Sequence, residues 1–267
     1  MRVAIIGCGN MGMAYAKSFL QNNLVKPENM LLVARSPARQ TELEGRQAGR
    51  VMLGITQEVG QYDLVIVAVK PQDFSAVARE LREVVQPQQM VLSIMAGIPI
   101  ARLQQELGHP LIIRAMPNTP ALIGLGMTAY AAAEGLTVRQ IRQVENLINS
   151  TGRAVFLEQE NLLDAATAVS GSGPAYFFYI VRAMIEAGRQ LGFDEALAAQ
   201  LVKQTMLGSF HLLNNSEKSL DELIKAVASK GGTTEAALTV FGERDLAGAL
   251  IGGISAAERR AGELSKG

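Results

Sequence analysis

Three glycines near the amino end, Gly7, Gly9 and Gly12, stand at the G-x-G-x-x-G spacing. They lie between a short apolar run and a stretch predicted to be helical to about Leu20. The first glycine would permit a tight turn, the second would let backbone approach a pyrophosphate, and the third would let a helix pack closely. Helix-end N–H groups and the helix dipole would face that pyrophosphate. The setting predicts a dinucleotide site, with a merely tight turn as the alternative.

The end of the second predicted strand indicates which dinucleotide would bind. An NAD-preferring site places Asp or Glu there to hold the ribose 2′-OH, whereas this chain reads Val33-Ala34-Arg35-Ser36. Arg35 would face a 2′-phosphate as a planar cation, and Ser36 would donate a hydrogen bond to it. The pair favours NADPH, with a solvated Arg35 as the alternative. Cys8 occupies a variable position of the glycine loop, which favours a structural role over a redox role.

Further candidate residues follow later strands at the same predicted sheet edge, where open parallel sheets bind ligands. Lys70 and Pro71 come after the fourth strand, Ala96 and Gly97 after the fifth, and Asn118 after the sixth. Lys70 and Asn118 are the polar groups that would reach a ribose or nicotinamide. For Lys70, the spacing leaves cofactor contact and surface charge equally open.

Two motifs in the second half combine glycines with hydroxyl residues. Ser170-Gly171-Ser172-Gly173-Pro174 precedes a predicted apolar helix, and Ser229-Lys230-Gly231-Gly232-Thr233-Thr234 precedes a helix predicted for 235–241. Each would place free N–H groups and hydroxyls at a helix amino terminus, which suits a carboxylate. For the second motif, a substrate site and a simple N-cap by Thr233 or Thr234 remain equally open.

Alternating β-branched and helical stretches in the first half predict the elements that position these residues, βα units with a parallel sheet. The predicted strands are 2–6, 30–34, 51–55, 64–69, 90–94, 111–115, 126–131 and 154–157, with a helix from about 138. The fourth run is apolar without alternation, which is typical of a strand covered on both faces, so the sheet is predicted to be doubly wound. From Asn161 onward the pattern is helical. We therefore predict two domains, 1–160 and 161–267.

The helix predicted for Ala175 to Leu191 carries apolar residues on nearly every face of its first turns. Such a helix must be covered on all sides, and a small helical domain cannot easily do so alone. We expect a partner subunit to complete it. A helix buried within one subunit is the alternative.

Whole-chain composition excludes several classes of protein. The 25 Lys and Arg residues balance 25 Asp and Glu, so the basic surplus of a nucleic-acid binder is missing. The longest uncharged apolar run, Ala165 to Val181, is interrupted and shorter than the roughly 20 residues of a membrane-spanning helix. Glycines within the first apolar stretch argue against a secretory signal. A single cysteine predicts a reducing, cytoplasmic location. No metal site is expected, because neither His109 nor His211 has a second ligand at a binding spacing.

Five blocks of the sequence together resemble the Δ1-pyrroline-5-carboxylate reductase family, and the resemblance covers essentially the whole chain. The blocks are residues 6–12, 68–71, 114–120, 170–176 and 229–234. The resemblance implies an α/β protein with an N-terminal doubly wound Rossmann domain followed by an all-helical dimerisation domain. It also implies reduction of 1-pyrroline-5-carboxylate to L-proline by hydride transfer from NADPH, with NADH as the other cofactor. The family forms homodimers through the helical domain, often assembled into larger rings such as a decamer.

The same resemblance implies roles for individual residues. Those expected to line NADPH are Gly7, Cys8, Gly9, Asn10, Met11, Gly12, Arg35, Ser36, Ala68, Lys70, Pro71, Ala96, Gly97 and Asn118. Those expected to hold the substrate carboxylate are Ser229, Gly231, Gly232 and Thr233. Thr234 would hydrogen-bond the ring nitrogen as the catalytic candidate, positioning a proton or a water because its hydroxyl is too weak an acid to donate outright. The chain departs from the family at Lys230, where many members have Pro, and at Ala226, where some have Asn.

Two functions other than reduction of 1-pyrroline-5-carboxylate remain open from the sequence. Another NADPH-dependent imine or hydroxyacid reductase shares the domain plan, and Lys203 is a loose candidate for the general acid of the hydroxyacid class. A non-enzymatic regulator that senses dinucleotides is the second alternative. The intact motif at residues 231–234 counts against the regulator, because a sensor has no need of a substrate cradle.

Overall fold

The computed structural model of the chain describes residues 1–266, which form two compact units. The sheet unit comprises residues 1–174 and those from 257 onward, and the helical unit comprises 175–256. This division differs from the domains predicted to meet at residue 160. The physical reason is that Arg114 of the sheet pairs with Glu160 at 2.9 Å and Asp164 at 3.2 Å, so the chain just beyond residue 160 packs with the sheet.

The sheet unit contains an eight-stranded sheet in the order β3-β2-β1-β4-β5-β6-β7-β8. Its strands are β1 Val3–Ile6, β2 Met30–Ala34, β3 Arg50–Leu53, β4 Leu64–Val67, β5 Met90–Ser93, β6 Ile112–Met116, β7 Gly126–Ala132 and β8 Gly152–Phe156. Neighbouring strands are parallel except for the antiparallel pair of β6 and β7. The predicted doubly wound sheet is confirmed, and no strand end differs from its predicted position by more than two residues.

Helices connect these strands and cover the sheet. They are α1 Asn10–Gln21, α2 Pro37–Glu44, α3 Phe74–Arg82, α4 Ile100–Leu107 and α5 Val138–Asn149. Successive side chains of a strand point to opposite faces. In β1, Ile5 therefore belongs to one buried apolar cluster, while Ala4 and Ile6 belong to the other. Both faces are covered, which explains why the strands show no polar alternation.

The rest of the chain is helical, as predicted. Its helices are α6 Leu162–Ala166, α7 Gly173–Gln190, α8 Glu195–Asn214, α9 Leu220–Val227, α10 Thr233–Glu243 and α11 Leu246–Lys266. A π-helical turn, Thr167–Gly171, follows α6 and leads through Ser172 into α7. The motif at 170–174 is therefore part of a nearly continuous helical segment. The expectation that this motif presents free N–H groups is wrong for Ser172, because its N–H donates to the Thr167 carbonyl at 2.8 Å.

The helical unit exposes large apolar side chains to an unusual degree. On α7, the exposed fractions of Phe177, Phe178 and Tyr179 are 62%, 68% and 65%. Further exposed apolar residues lie on the later helices, including Leu207, Phe210, Leu212, Leu220, Ile224 and Val227. Large apolar side chains exposed in this number indicate a site of association. None of the described helices is both long and apolar enough to cross a membrane.

We predict that Arg114→Ala lowers the free energy of unfolding by about 3 kcal/mol, because it removes a buried cation and leaves two partly buried carboxylates without it. The Arg114 side chain is only 5% exposed. Urea denaturation measures the effect. Arg102→Ala is the matched control, since Arg102 pairs with Glu106 along one turn of a helix at a more exposed position, where the loss should be about 0.5 kcal/mol. Equal losses in the two variants would contradict the assignment.

Candidate functional site

A cavity of about 640 Å³ lies at the carboxyl ends of β1, β2 and β4, within the sheet unit. Its lining includes Gly7, Cys8, Gly9, Arg35, Ser36, Arg39, Gly54, Ile55, Ala68, Val69, Lys70, Asp73, Ala76, Val77 and Glu80. The carboxyl ends of strands are where open parallel sheets bind ligands. The cavity therefore occupies the position predicted for the dinucleotide.

Backbone packing around the glycine loop leaves no room for side chains at two of its glycines. A Cβ at Gly7, whose φ is +92°, would lie 2.5 Å from the Ala68 carbonyl carbon. A Cβ at Gly12 would lie 2.4 Å from the Gly7 carbonyl oxygen. Gly9 differs, because no other described atom lies within 4 Å of the position that its Cβ would take. The space beside Gly9 suits close approach of a ligand to the backbone.

Helix α1 begins directly at this loop. Gly9 is its N-cap residue, and no side chain caps the helix there. The first N–H groups of an α-helix have no partner within the helix, so they are available to an anion. The open loop, the uncapped helix end and the cavity fit the pyrophosphate of a dinucleotide.

The end of β2 supplies cationic and hydroxyl groups to the cavity. Arg35 is exposed, whereas the Ser36 hydroxyl oxygen accepts the Arg39 N–H at 3.3 Å as the N-cap of α2. The Arg39 guanidinium donates to the Cys8 carbonyl and to the Glu42 carboxylate. Arg39 was not among the sequence candidates. The sequence signal that could have identified Arg39 is its spacing, three residues after Ser36 and so within the first turn of the helix that follows β2.

The Cys8 thiol is buried beneath the loop. Its Sγ lies 3.5 Å from the Ile5 carbonyl oxygen and 3.8 Å from that of Val33. Burial raises the pKa of this thiol to about 11, with a smaller opposing contribution from the hydrogen bond to Val33. The thiol is therefore protonated at neutral pH and a poor nucleophile, which fits the predicted structural role.

Other predicted cofactor residues lie outside the lining of this cavity: Met11, Gly12, Pro71, Ala96, Gly97 and Asn118. Asn10 lies beside Gly9 in a neighbouring cavity. The Asn118 amide is engaged within the protein, since its Nδ2 donates to the Ser170 carbonyl at 3.2 Å and its Oδ1 accepts the Met127 N–H at 2.9 Å. In this structure Asn118 joins two segments of the sheet unit, which sequence reasoning did not foresee.

The predicted substrate motif forms the start of α10 in the helical unit. The helix begins at Thr233, two residues earlier than predicted, and Gly232 is the N-cap. The expected alternative, a threonine N-cap, is therefore wrong. Gly231 has a φ of +73°, and its N–H donates to the Glu235 carboxylate at 2.6 Å. A side chain of the chain itself thus contacts one of the N–H groups predicted to hold the substrate.

Neither histidine belongs to the glycine loop or to the motif at residues 229–234. His109 is buried near the amino ends of β5 and β6, with its Nε2 atom 2.7 Å from the Gln89 carbonyl oxygen. Burial lowers the pKa of this imidazole. His211 lies in α8. The positions agree with a reaction that does not depend on imidazole.

The fold and the site together define a class. A glycine-rich loop at the edge of a doubly wound sheet, followed by helices with exposed apolar faces, is the plan of a dinucleotide-dependent oxidoreductase that associates through its helical part. Family models agree with this plan along the chain. Residues 2–97 match "NADP oxidoreductase coenzyme F420-dependent", and residues 160–264 match "Pyrroline-5-carboxylate reductase dimerisation".

Full-length relatives narrow the class. The pyrroline-5-carboxylate reductase of Pseudomonas aeruginosa is 36% identical, with 99% of this chain and 97% of that protein covered. A solved pyrroline-5-carboxylate reductase of Coxiella burnetii is 31% identical, covers 100% of this chain and 99% of its own, and has a TM-score of 0.90. The Plasmodium falciparum enzyme solved with NADP bound is 26% identical, with 99% and 98% covered and a TM-score of 0.89. The chain belongs to the pyrroline-5-carboxylate reductase family.

Two glycine substitutions should separate folding from ligand binding. Gly12→Ala should lower the free energy of unfolding by about 1–3 kcal/mol, because its Cβ has no room beside the Gly7 carbonyl. Gly9→Ala should leave stability nearly unchanged, since the φ of Gly9 is −77° and its Cβ meets open space. It should nevertheless weaken NADPH binding several-fold. Denaturation curves and NADPH fluorescence titrations measure the two effects, and a Gly9→Ala variant that binds NADPH normally would contradict the site.

Proposed function

We propose that this protein reduces 1-pyrroline-5-carboxylate to L-proline with NADPH, the final step of proline biosynthesis. The observation that carries the proposal is the match along the whole chain to pyrroline-5-carboxylate reductases, including the one from Pseudomonas aeruginosa. It extends through both the cofactor half and the helical half of the chain.

The cofactor side of the proposal rests on the cavity of the sheet unit. NADPH supplies the hydride when it is bound. The backbone beside Gly9 and the first N–H groups of α1 would receive its pyrophosphate. Arg35 and Ser36 lie at the strand end where the adenine ribose is recognised, and Lys70 lines the same cavity. The absence of a carboxylate at positions 35 and 36 supports NADPH over NADH.

The substrate side of the proposal rests on residues 229–234 of the helical unit. The N–H groups of Gly231 and Gly232, with the hydroxyls of Ser229 and Thr233, would hold the substrate carboxylate. In the structure, Gly231 donates instead to Glu235, and Gly232 donates to the Ser229 carbonyl at 2.9 Å. Binding of the substrate carboxylate by these two N–H groups would therefore replace both contacts, the one to Glu235 and the one to the Ser229 carbonyl. Lys230 adds a cation where many family members have Pro.

Thr234 has the role nearest to the chemistry. It occupies the second position of α10, and its side chain is partly buried. A protonated imine nitrogen makes the neighbouring carbon a better hydride acceptor. The Thr234 hydroxyl would hydrogen-bond that nitrogen and position its proton or a water. Orienting the ring in this way contributes proximity rather than acid strength.

Association is proposed to occur through the helical unit. The dimerisation family model matches residues 160–264, and the exposed apolar side chains of α7 supply the surface that a second copy would cover. A homodimer is the basic assembly of this proposal, with a decamer as the larger assembly implied by family resemblance. The cytoplasmic location indicated by cysteine content remains part of the proposal.

The activity is tested by adding 1-pyrroline-5-carboxylate to the purified protein with NADPH and following loss of reduced nicotinamide by absorbance, with L-proline identified as the product. The same assay with NADH measures cofactor preference, and we expect faster turnover with NADPH. NADPH binding without turnover of any imine or hydroxyacid would favour the regulator. Turnover of a hydroxyacid alone would favour the other reductase class.

Thr234→Ala should reduce kcat by roughly tenfold or more while the dissociation constant of NADPH stays unchanged, because the hydroxyl acts on the imine nitrogen and not on the cofactor. Thr234→Ser is the control, since it keeps a hydroxyl at the same position and should retain most of the activity. Steady-state kinetics and NADPH titration measure the two quantities. Unchanged turnover in Thr234→Ala would remove this residue from the mechanism.

A further inference from the structure

Arg39 differs from the other cations of the dinucleotide cavity in how firmly it is held. Its side chain is 27% exposed, and its guanidinium donates to the Cys8 carbonyl on one side and to the Glu42 carboxylate on the other. Arg35 and Lys70 line the same cavity but are exposed. A flexible exposed arginine loses rotamer entropy when it binds a ligand, whereas a side chain already fixed in place loses less.

Glu42 fixes the orientation of Arg39 from the outer side. Its carboxylate accepts from Arg39 and, at 2.7 Å, from Arg46. These two hydrogen bonds hold the pKa of Glu42 below its ordinary value, so the carboxylate stays charged at neutral pH. Arg46 does not belong to the lining of the dinucleotide cavity. The two arginines share one carboxylate and both line the neighbouring cavity beside Asn10, but of the two only Arg39 also lines the dinucleotide cavity.

The position of Arg39 points to one part of the ligand. Its backbone N–H donates to the Ser36 hydroxyl oxygen in the first turn of α2, which follows the end of β2 where the ribose 2′ position is recognised in this fold. A guanidinium has five N–H donors, and the two contacts described engage only part of them. A planar donor of this kind suits a phosphate better than a hydroxyl.

We propose that Arg39 is the specificity-determining residue for the ribose 2′-phosphate, oriented by the Cys8 carbonyl and Glu42. The inference rests on the proposed use of NADPH, and it assigns the discrimination between NADPH and NADH to the Arg39 guanidinium. The ligand class is an adenosine phosphate that carries a second phosphate on its ribose 2′ oxygen. Arg35 and Ser36 then contribute to the same phosphate from less fixed positions.

The test compares binding of 2′,5′-ADP and 5′-ADP by isothermal titration calorimetry, which needs neither nicotinamide nor turnover. Arg39→Gln should weaken 2′,5′-ADP binding by roughly tenfold or more, because a charge-assisted hydrogen bond is lost, and should change 5′-ADP binding little. Arg46→Gln is the matched control, since it removes an arginine from the same carboxylate outside the cavity. It should leave the ratio of the two affinities unchanged. Glu42→Gln should reduce the ratio by an intermediate factor.

Each other outcome overturns the inference. Equal weakening of both ligands by Arg39→Gln would assign Arg39 to support of the glycine loop alone, and no weakening would leave discrimination to Arg35 and Ser36. An effect of Arg46→Gln as large as that of Arg39→Gln would indicate a general charge effect. Thermal denaturation of each variant verifies folding. If the unmodified protein itself fails to prefer 2′,5′-ADP over 5′-ADP, the proposed NADPH specificity fails and not only the role of Arg39.

Discussion

The contact between the first βα turn and the end of β4 is the constraint on which the cofactor edge depends. Gly7 lies so close to the Ala68 backbone, and Gly12 so close to Gly7, that only hydrogen fits at either glycine. Because β1 lies between β2 and β4, this close packing sets where the residues after all three strands meet. The cavity is the space left between those three strand ends. The uncapped start of α1 and the cations Arg35, Arg39 and Lys70 give this one cavity a local preference for anions, although the whole chain carries no net charge.

The two units differ in how many of their side chains are buried within one chain. The sheet unit covers both faces of its strands and can bury a charged residue, Arg114, because two carboxylates accompany it. Among the described residues 175–256, Ala198 and Val202 are the buried apolar side chains. Two buried side chains of this size are too few to form an apolar core for the unit. One chain leaves most large apolar side chains of this unit exposed, which agrees with the match of residues 160–264 to a dimerisation family model.

Much of the fold follows from the sequence because strand positions are encoded in local apolar runs. All eight predicted strands form, and the glycine spacing correctly places the tight turn between β1 and α1. The features that could not be predicted from the sequence depend on contacts between distant segments of the chain. The Asn118 amide is engaged by Ser170 and Met127, and the Arg39 guanidinium by Cys8, and neither pairing has a signature in local spacing. The start of α10 was predicted late because glycine, rather than threonine, is its N-cap.

Helix α11 belongs to both units, since its residues up to 256 lie in the helical unit and those from 257 lie in the sheet unit. In the sheet unit, a Cβ at Gly97 would lie 3.1 Å from the Leu264 Cβ, and the Ser265 hydroxyl donates to Asp164 at 3.0 Å. The sheet unit is therefore discontinuous in sequence. During synthesis on the ribosome, its first 174 residues emerge long before the segment that completes it. The edge that carries Gly97 reaches its final packing only after the whole helical unit has been made.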